Sequence, residues 1–401
     1  MFSLSNLCLR AVFIGCILGS IPACNELPTD LGSDIIPGTD SIFSLASDSA
    51  GGLLTSKGTH TERQPLYNTP YLLFGKTKDT EARLFIEFIN YPAVKDPSEW
   101  DVVESSLEMY PQRYCLGDTT SSTFQVRGYN ITQSWSSQIT WDSVWAADGS
   151  TPYYNAAGTP VCDAVGTVTH TDSVVRIPFN NDETKRWLVV GADSARRKQE
   201  LFGIVLLCPT VSSIRQFRNF DGSVQKMLLR VVTKHRDSTS PDTLFLMSSV
   251  AGFVNSPAAS ENEMVIQGAR VHSTQFGINV NGVPEHSVVV GATFRVSLNM
   301  AQSVVGNEGP DEILELRYTP ANGRQLRFQT RITSANEYVF PNISAIIQHL
   351  RANGGSGTIE LLPADSYVTW RTNRLVLHSL TDPEGGKPKL TILYTVPTML
   401  R

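Results

Sequence analysis

Short stretches that alternate apolar and polar residues, each stopped by Pro, Gly, Ser or Asn, fill most of this chain. A period of two is that of a strand half buried against a core. Val102-Val103-Glu104-Ser105-Ser106-Leu107-Glu108-Met109-Tyr110 shows it most clearly, and Leu84–Ile89, Phe124–Tyr129, Val174–Phe179, Phe202–Cys208 and Met227–Val232 follow. Asn181 and Asp182 stand where a short helix through Trp187, Leu188 and Val189 needs its cap. Many short strands with one helix predict an antiparallel sandwich.

A second series of strands begins near Met264, and its layout repeats the first. Residues 83–110 and 270–298 each hold two strands around a loop. Residues 175–232 and 338–394 each read strand, short helix, strand, variable loop, strand. In the second unit the helix is Asn342–Leu350, with Asn342 as cap and Gly354 beyond its end. Two similar units are the simplest account. The expected fold class is therefore all-β: two antiparallel, jelly-roll-like β-sandwich domains, each with one short helix. The chain divides into 1–24, a signal peptide; 25–80, an extended N-terminal segment; 81–234, the first sandwich; 235–262, a polar linker or long excursion; and 263–401, the second sandwich.

Residues 11–18 form an apolar run after Arg10, followed by Gly19-Ser20-Ile21-Pro22-Ala23-Cys24. The run is too short to span a bilayer as a helix, which needs about 20 residues. Ile21-Pro22-Ala23-Cys24 resembles a bacterial lipobox, which implies cleavage before Cys24 and acylation of its thiol. The mature chain would then be anchored by lipid at Cys24. Of the remaining cysteines, Cys115 and Cys162 lie in or near loops and could pair in an oxidising envelope. Cys208 reads as a small core hydrophobe.

Residues 103–110, Phe124-Gln125-Val126, Ile131-Thr132-Gln133-Ser134-Trp135 and Ile139-Thr140-Trp141 resemble the carbohydrate-binding-like sandwich known as the DNRLRE or disaggregatase-related domain. The Cys24 lipobox, followed shortly by Leu31-Gly32-Ser33-Asp34-Ile35-Ile36-Pro37-Gly38-Thr39-Asp40-Ser41-Ile42, is similar to a Bacteroidota family of outer-membrane lipoproteins, domain of unknown function 4270. That resemblance implies an outer-membrane location and carries no catalytic motif.

Composition narrows the function further. Of 401 residues 41% are hydrophobic and 18% charged, with a net charge of −5. No basic excess exists to pair with phosphates, which argues against a nucleic-acid partner. No C-x-x-C, H-E-x-x-H, G-x-S-x-G or calcium-loop motif occurs, so neither a metal site nor a cofactor is expected. The acidic pairs Asp311/Glu312 and Glu261/Glu263 are the only hints of glycosidase carboxylates, and acidic pairs in loops are usually solvated. Trp135, Trp141 and Trp145 cluster with Tyr129. Trp135 and Trp141 read as core plugs; Trp145, with Tyr129, is the candidate for a glycan contact at the surface. Asp followed by Ser or Thr recurs, as at Asp118-Thr119, Asp142-Ser143 and Asp193-Ser194, resembling an O-glycosylation signal of Bacteroidota envelope proteins; such pairs also simply suit turns. The expected function is that of a non-enzymatic, lipid-anchored outer-membrane lipoprotein, an accessory or interaction subunit of an outer-membrane complex. A glycan-binding module at the cell surface is the alternative. An exposed Trp145 in a groove favours the glycan, and a contiguous apolar patch favours the protein partner.

Overall fold

The computed structural model describes residues 41–93, 96–169, 173–269, 271–364, 370–382 and 386–396. The signal segment and Cys24 lie outside the described residues. Within them the fold is all-β, organised as two antiparallel sandwiches.

The first sandwich is built on two long strands that serve both of its sheets. The first half of Trp100–Gly117 pairs with Leu228–His235 and Val175–Pro178, and its second half pairs with Ser213–Arg218. Asp242–Asn255 pairs with Leu228–His235 up to Leu246, and with Glu81–Ile89 from Met247 on. Glu81–Ile89 then leads through Ile204–Leu207 and Thr123–Asn130 to Cys162–Thr167. The alternation read from sequence sets the inner face: Leu107, Met109, Ile177, Leu229, Val231 and Leu246 meet Leu84, Ile86, Val126, Ile204 and Leu206 in one core. Helix Asn181–Ala192 enters that core with Trp187, Leu188 and Val190. The cap is Asn180, one residue before the expected Asn181 and Asp182: its side chain accepts a hydrogen bond from the Glu183 amide, and those two residues form the first turn.

The second sandwich repeats the scheme in all but its outermost strand. His272–Asn279 and Val288–Ser297 correspond to Glu81–Ile89 and Trp100–Gly117. Ser356–Pro363 lies between His272–Asn279 and Ile313–Tyr318, as Ile204–Leu207 lies between Glu81–Ile89 and Thr123–Asn130. Val288–Ser297 is flanked by Glu337–Phe340 and Lys389–Thr395, as Trp100–Gly117 is by Val175–Pro178 and Leu228–His235. Helix Ser344–Ala352 follows Glu337–Phe340 just as the longer helix follows Val175–Pro178.

The outermost strand differs between the repeats, and it corrects the expected boundaries. In the first sandwich this strand is Asp242–Asn255, placed within the expected linker 235–262. Its buried Leu246, Val250 and Phe253 show why it is not an excursion. In the second sandwich the same two pairings are made by Ile42–Ala46, against Lys389–Thr395, and by Leu54–Thr61, against His272–Asn279. Residues 42–61 thus belong to the C-terminal sandwich, whereas Tyr71–Lys76 joins the first. A segment expected to lie along one domain instead completes two sheets, because Leu45, Leu53 and Leu54 find core places there. Among the described residues the first sandwich carries three helices where one was expected, adding Trp141–Val144 and Ser194–Glu200.

A small apolar cluster joins the sandwiches, with Leu66, Leu73, Tyr114, Leu116 and Ile214 against Ala269 and Val271. A buried polar network lies beside it. The Tyr114 hydroxyl donates to Asn373 Oδ1 at 3.0 Å and accepts from the Thr372 amide at 3.1 Å. Asn373 Nδ2 donates to Asp311 Oδ1 at 2.8 Å. Gly306 is needed here: a Cβ would lie 2.5 Å from the Tyr114 ring and 2.8 Å from the Cys115 carbonyl oxygen. Asp311 is fully buried and its Oδ2 has no hydrogen-bond partner among the described residues. Burial pushes its carboxyl up to about 6 against the pull of Arg371, whose Nη1 is 3.9 Å away.

Candidate functional site

The residues singled out from sequence as a glycan platform are not on the surface. Between Thr123–Asn130 and Cys162–Thr167 the chain makes a long excursion that folds back over the sheet. The outward side chains of that sheet, Phe85, Tyr129, Val205, Ala251 and Phe253, are covered by Ile131, Ile139, Trp141, Val144 and Trp145. Trp145 is only 3% exposed. Its ring lies 4.4 Å from Trp141, 5.8 Å from Phe85 and 5.1 Å from Phe253, and its Nε1 donates to the Tyr154 hydroxyl at 3.2 Å. The Arg83 guanidinium sits 4.7 Å from both the Trp141 and Trp145 ring centroids and is held by Glu81. Tyr129 is buried too, stacked on Tyr154. The expected glycan contact at Trp145 and Tyr129 is therefore corrected. A second apolar layer on the back of the sheet consumes these rings, as the core reading of Trp141 anticipated.

The expected Cys115–Cys162 bond is likewise absent; both thiols are free and buried. Cys162 points into the core of the first sandwich. Cys115 stands at the joint, where its amide donates to Asn307 Oδ1 at 2.9 Å. The Cys115 thiol instead donates to the Asp118 carbonyl at 3.8 Å. Burial pushes the Cys162 thiol up to about 12, away from nucleophilic use. Cys208 is buried as a core residue, as expected.

The acidic pairs are engaged elsewhere. Asp311 is in the joint. Glu263 makes two hydrogen bonds to Arg374, at 2.6 and 2.9 Å, which hold its carboxyl well down, to about 2. Three Asp-Ser/Thr pairs perform local turn chemistry. Asp118 Oδ1 accepts from the Thr120 and Ser121 amides, Asp193 Oδ1 caps helix Ser194–Glu200, and Ser143 donates to the Thr140 carbonyl.

One Ser–His contact needs a chemical reading. His272 Nε2 lies 3.3 Å from Ser256 Oγ and 3.1 Å from the Pro257 carbonyl oxygen. A carbonyl only accepts, so Nε2 carries the proton, while Nδ1 accepts from the Thr61 hydroxyl at 2.9 Å. Burial pushes this imidazole below its usual range, so it is neutral. Ser256 Oγ in turn donates to Gln267 Oε1 at 2.7 Å. The imidazole cannot take the Ser256 proton, and the pair is structural. His272 also borders a polar groove of about 250 Å³ on the second sandwich, lined by Glu62, Ser273, Arg317, Arg327 and Glu360.

Surface chemistry of another kind lies on the outer face of the first sandwich, on strands 242–255, 228–235, 100–117 and 175–178. Phe245 and Met247, two residues apart on one strand face, are 49% and 40% exposed. Leu228 is half buried on the adjoining strand. Charged pairs rim them: Arg230 with Glu104 at 2.5 Å, and Arg176 with Glu108 at 3.1 Å. Arg230 is directly opposite Phe245, and Leu228 opposite Glu108. Lys226 lies over the Tyr110 ring at 5.7 Å. An aromatic and methionine centre with an arginine-bearing rim is the composition of a protein-docking surface. The sequence hid this site. Phe245 and Met247 fall in the segment read as linker, and only the pairing of that segment shows which side chains face out.

The sequence matches no protein-family model and no curated protein.

Proposed function

We propose that this chain is a non-enzymatic lipoprotein of a bacterial outer membrane, anchored by acylation of Cys24, and that its folded part is an interaction subunit of an outer-membrane complex. The resemblance of residues 21–42 to outer-membrane lipoproteins supports the location. The observation that carries the role is the exposed Phe245/Met247 face within its charged rim, joined to the burial of the Trp145 and Tyr129 rings expected to meet a glycan. The partner is a protein, and Arg176 and Arg230 meet acidic or carbonyl-rich surface on it. The glycan alternative would now rest on the polar groove beside His272, where two guanidiniums and two carboxylates offer both donors and acceptors.

The test is a pull-down of tagged full-length protein from mildly solubilised native membranes, read by mass spectrometry. A stoichiometric outer-membrane protein is expected in the wild-type eluate. Phe245→Asp/Met247→Asp should reduce it at least tenfold, because losing one or two interface anchors costs about 2–4 kcal/mol. Recovery of the wild type alone would sink the subunit reading.

A further inference from the structure

The two sandwiches present the same face of the same repeat, yet with different chemistry. In the second sandwich this face is formed by Ile42–Ala46, Lys389–Thr395 and Val288–Ser297. Ile42 is 66% exposed, Val288 54% and Val290 51%, and Leu393 is exposed beside them. Ile42 and Val288 both stand opposite Thr395, and Ser44 and Gly291 both stand opposite Leu393. The bulge between Val289 and Gly291 turns Val290 outward while Val289 stays in the core. Phe43, stacked on Tyr394 at 5.6 Å, adds an accessible ring at this end. The other end of the face is charged, with Lys389 paired to Asp48 and Arg295 to Glu337 at 3.7 Å. Among the described residues of these three strands no charged side chain interrupts the aliphatic end, in contrast to the rimmed face of the first sandwich.

We infer that the aliphatic end of this face, Ile42, Val288, Val290 and Leu393, rests on the lipid bilayer and sets the orientation of the anchored protein. The inference rests on the proposed acylation of Cys24. Seventeen residues, 25–41, separate Cys24 from Ile42. They reach at most about 60 Å when extended, and about 22 Å as a relaxed coil. The first residue of the sheet that such a tether brings to the membrane is Ile42, the most exposed member of the patch. Uncharged aliphatic side chains gain by leaving water for the acyl boundary without needing a complementary partner. The charged end then points away from the membrane.

The experiment uses full-length protein reconstituted in phosphatidylethanolamine–phosphatidylglycerol vesicles. An environment-sensitive fluorophore is attached at Val290→Cys, and in a second sample at Val224→Cys, an exposed site on the first sandwich. Intact mass reports acylation of Cys24 in the same samples. The expected result is acylated protein whose fluorophore at 290 shifts to the blue and is quenched by nitroxide on the acyl chains, while the one at 224 does neither. Acylated protein with both fluorophores in water would overturn the inference and leave the proposed function standing. A shift at 290 without nitroxide quenching, together with a doubled mass in light scattering, would assign the face to a second copy and also overturn it. An unmodified Cys24 would remove the anchor and the inference together. Val288→Asp/Val290→Asp, placed at solvent-facing positions that fold without them, should abolish the quenching of a fluorophore at Leu393→Cys.

Discussion

Trp145→Ala is expected to destabilise the first sandwich by about 3–5 kcal/mol, the usual cost of emptying a buried aromatic site. For a domain of this size that lowers Tm by roughly 6–20 °C. The ring packs on Trp141, Phe85 and Phe253, and Arg83 covers it from the other side. Truncation leaves a cavity between the sheet and the excursion, removes a cation–π contact, and frees the Tyr154 hydroxyl that Nε1 engages. Trp145→Phe should recover most of the loss, because it restores the apolar volume. Thermal unfolding followed by circular dichroism measures both. A variant as stable as the wild type would mean that the excursion does not seal the back of the sheet, and would return Trp145 to the surface.

Asp311→Asn is expected to act in the opposite direction, and only at neutral pH. The ordinary aspartate value is 3.8, and burial raises that of Asp311 to about 6. Between these values the folded chain keeps a proton that the unfolded chain has released. Its contribution to stability is therefore complete below about pH 4 and falls away as pH rises through about 6. The total is about 3 kcal/mol at most, from roughly two pH units at 1.36 kcal/mol each. Arg371 at 3.9 Å is the nearest cation, with Glu308 already bound to it at 2.7 Å; the Tyr114 hydroxyl faces Asn373. Asparagine keeps an acceptor for Asn373 Nδ2 and carries no charge to desolvate. The variant should be more stable than the wild type at pH 7 and equal to it at pH 4. A constant difference across that range would show that the carboxyl is not the titrating group at this joint.

The β-sandwich architecture was legible in the sequence because one-sided burial writes itself as a period of two. Val175 and Ile177 inside, with Arg176 and Pro178 exposed, are the clearest instance. The repeat was legible for the same reason, as a matching order of strands, helices and loops. The outermost strands were not. Met247–Val254 is nearly all apolar or small, and residues 234–243 before it are polar, so composition alone pointed to a linker. Which of Ile42–Ala46 or Leu54–Thr61 joins which sheet depends on pairing partners more than two hundred residues away. The site residues failed for a related reason. Trp145 lies in an excursion, and excursions usually face water. Here the sheet behind it carries Phe85, Val205 and Phe253 on its outward side, and those side chains need a cover. The Phe245/Met247 face appears only once its strand is paired and its two sides are told apart.

The claim that the first sandwich is a docking module is tested most directly by a photo-crosslinking residue placed at Phe245 and irradiated in intact native membranes. The account predicts one dominant adduct, containing an outer-membrane protein and lost when Met247→Asp is added. No adduct at Phe245, or the same adduct from exposed Val304 on the second sandwich, would contradict it.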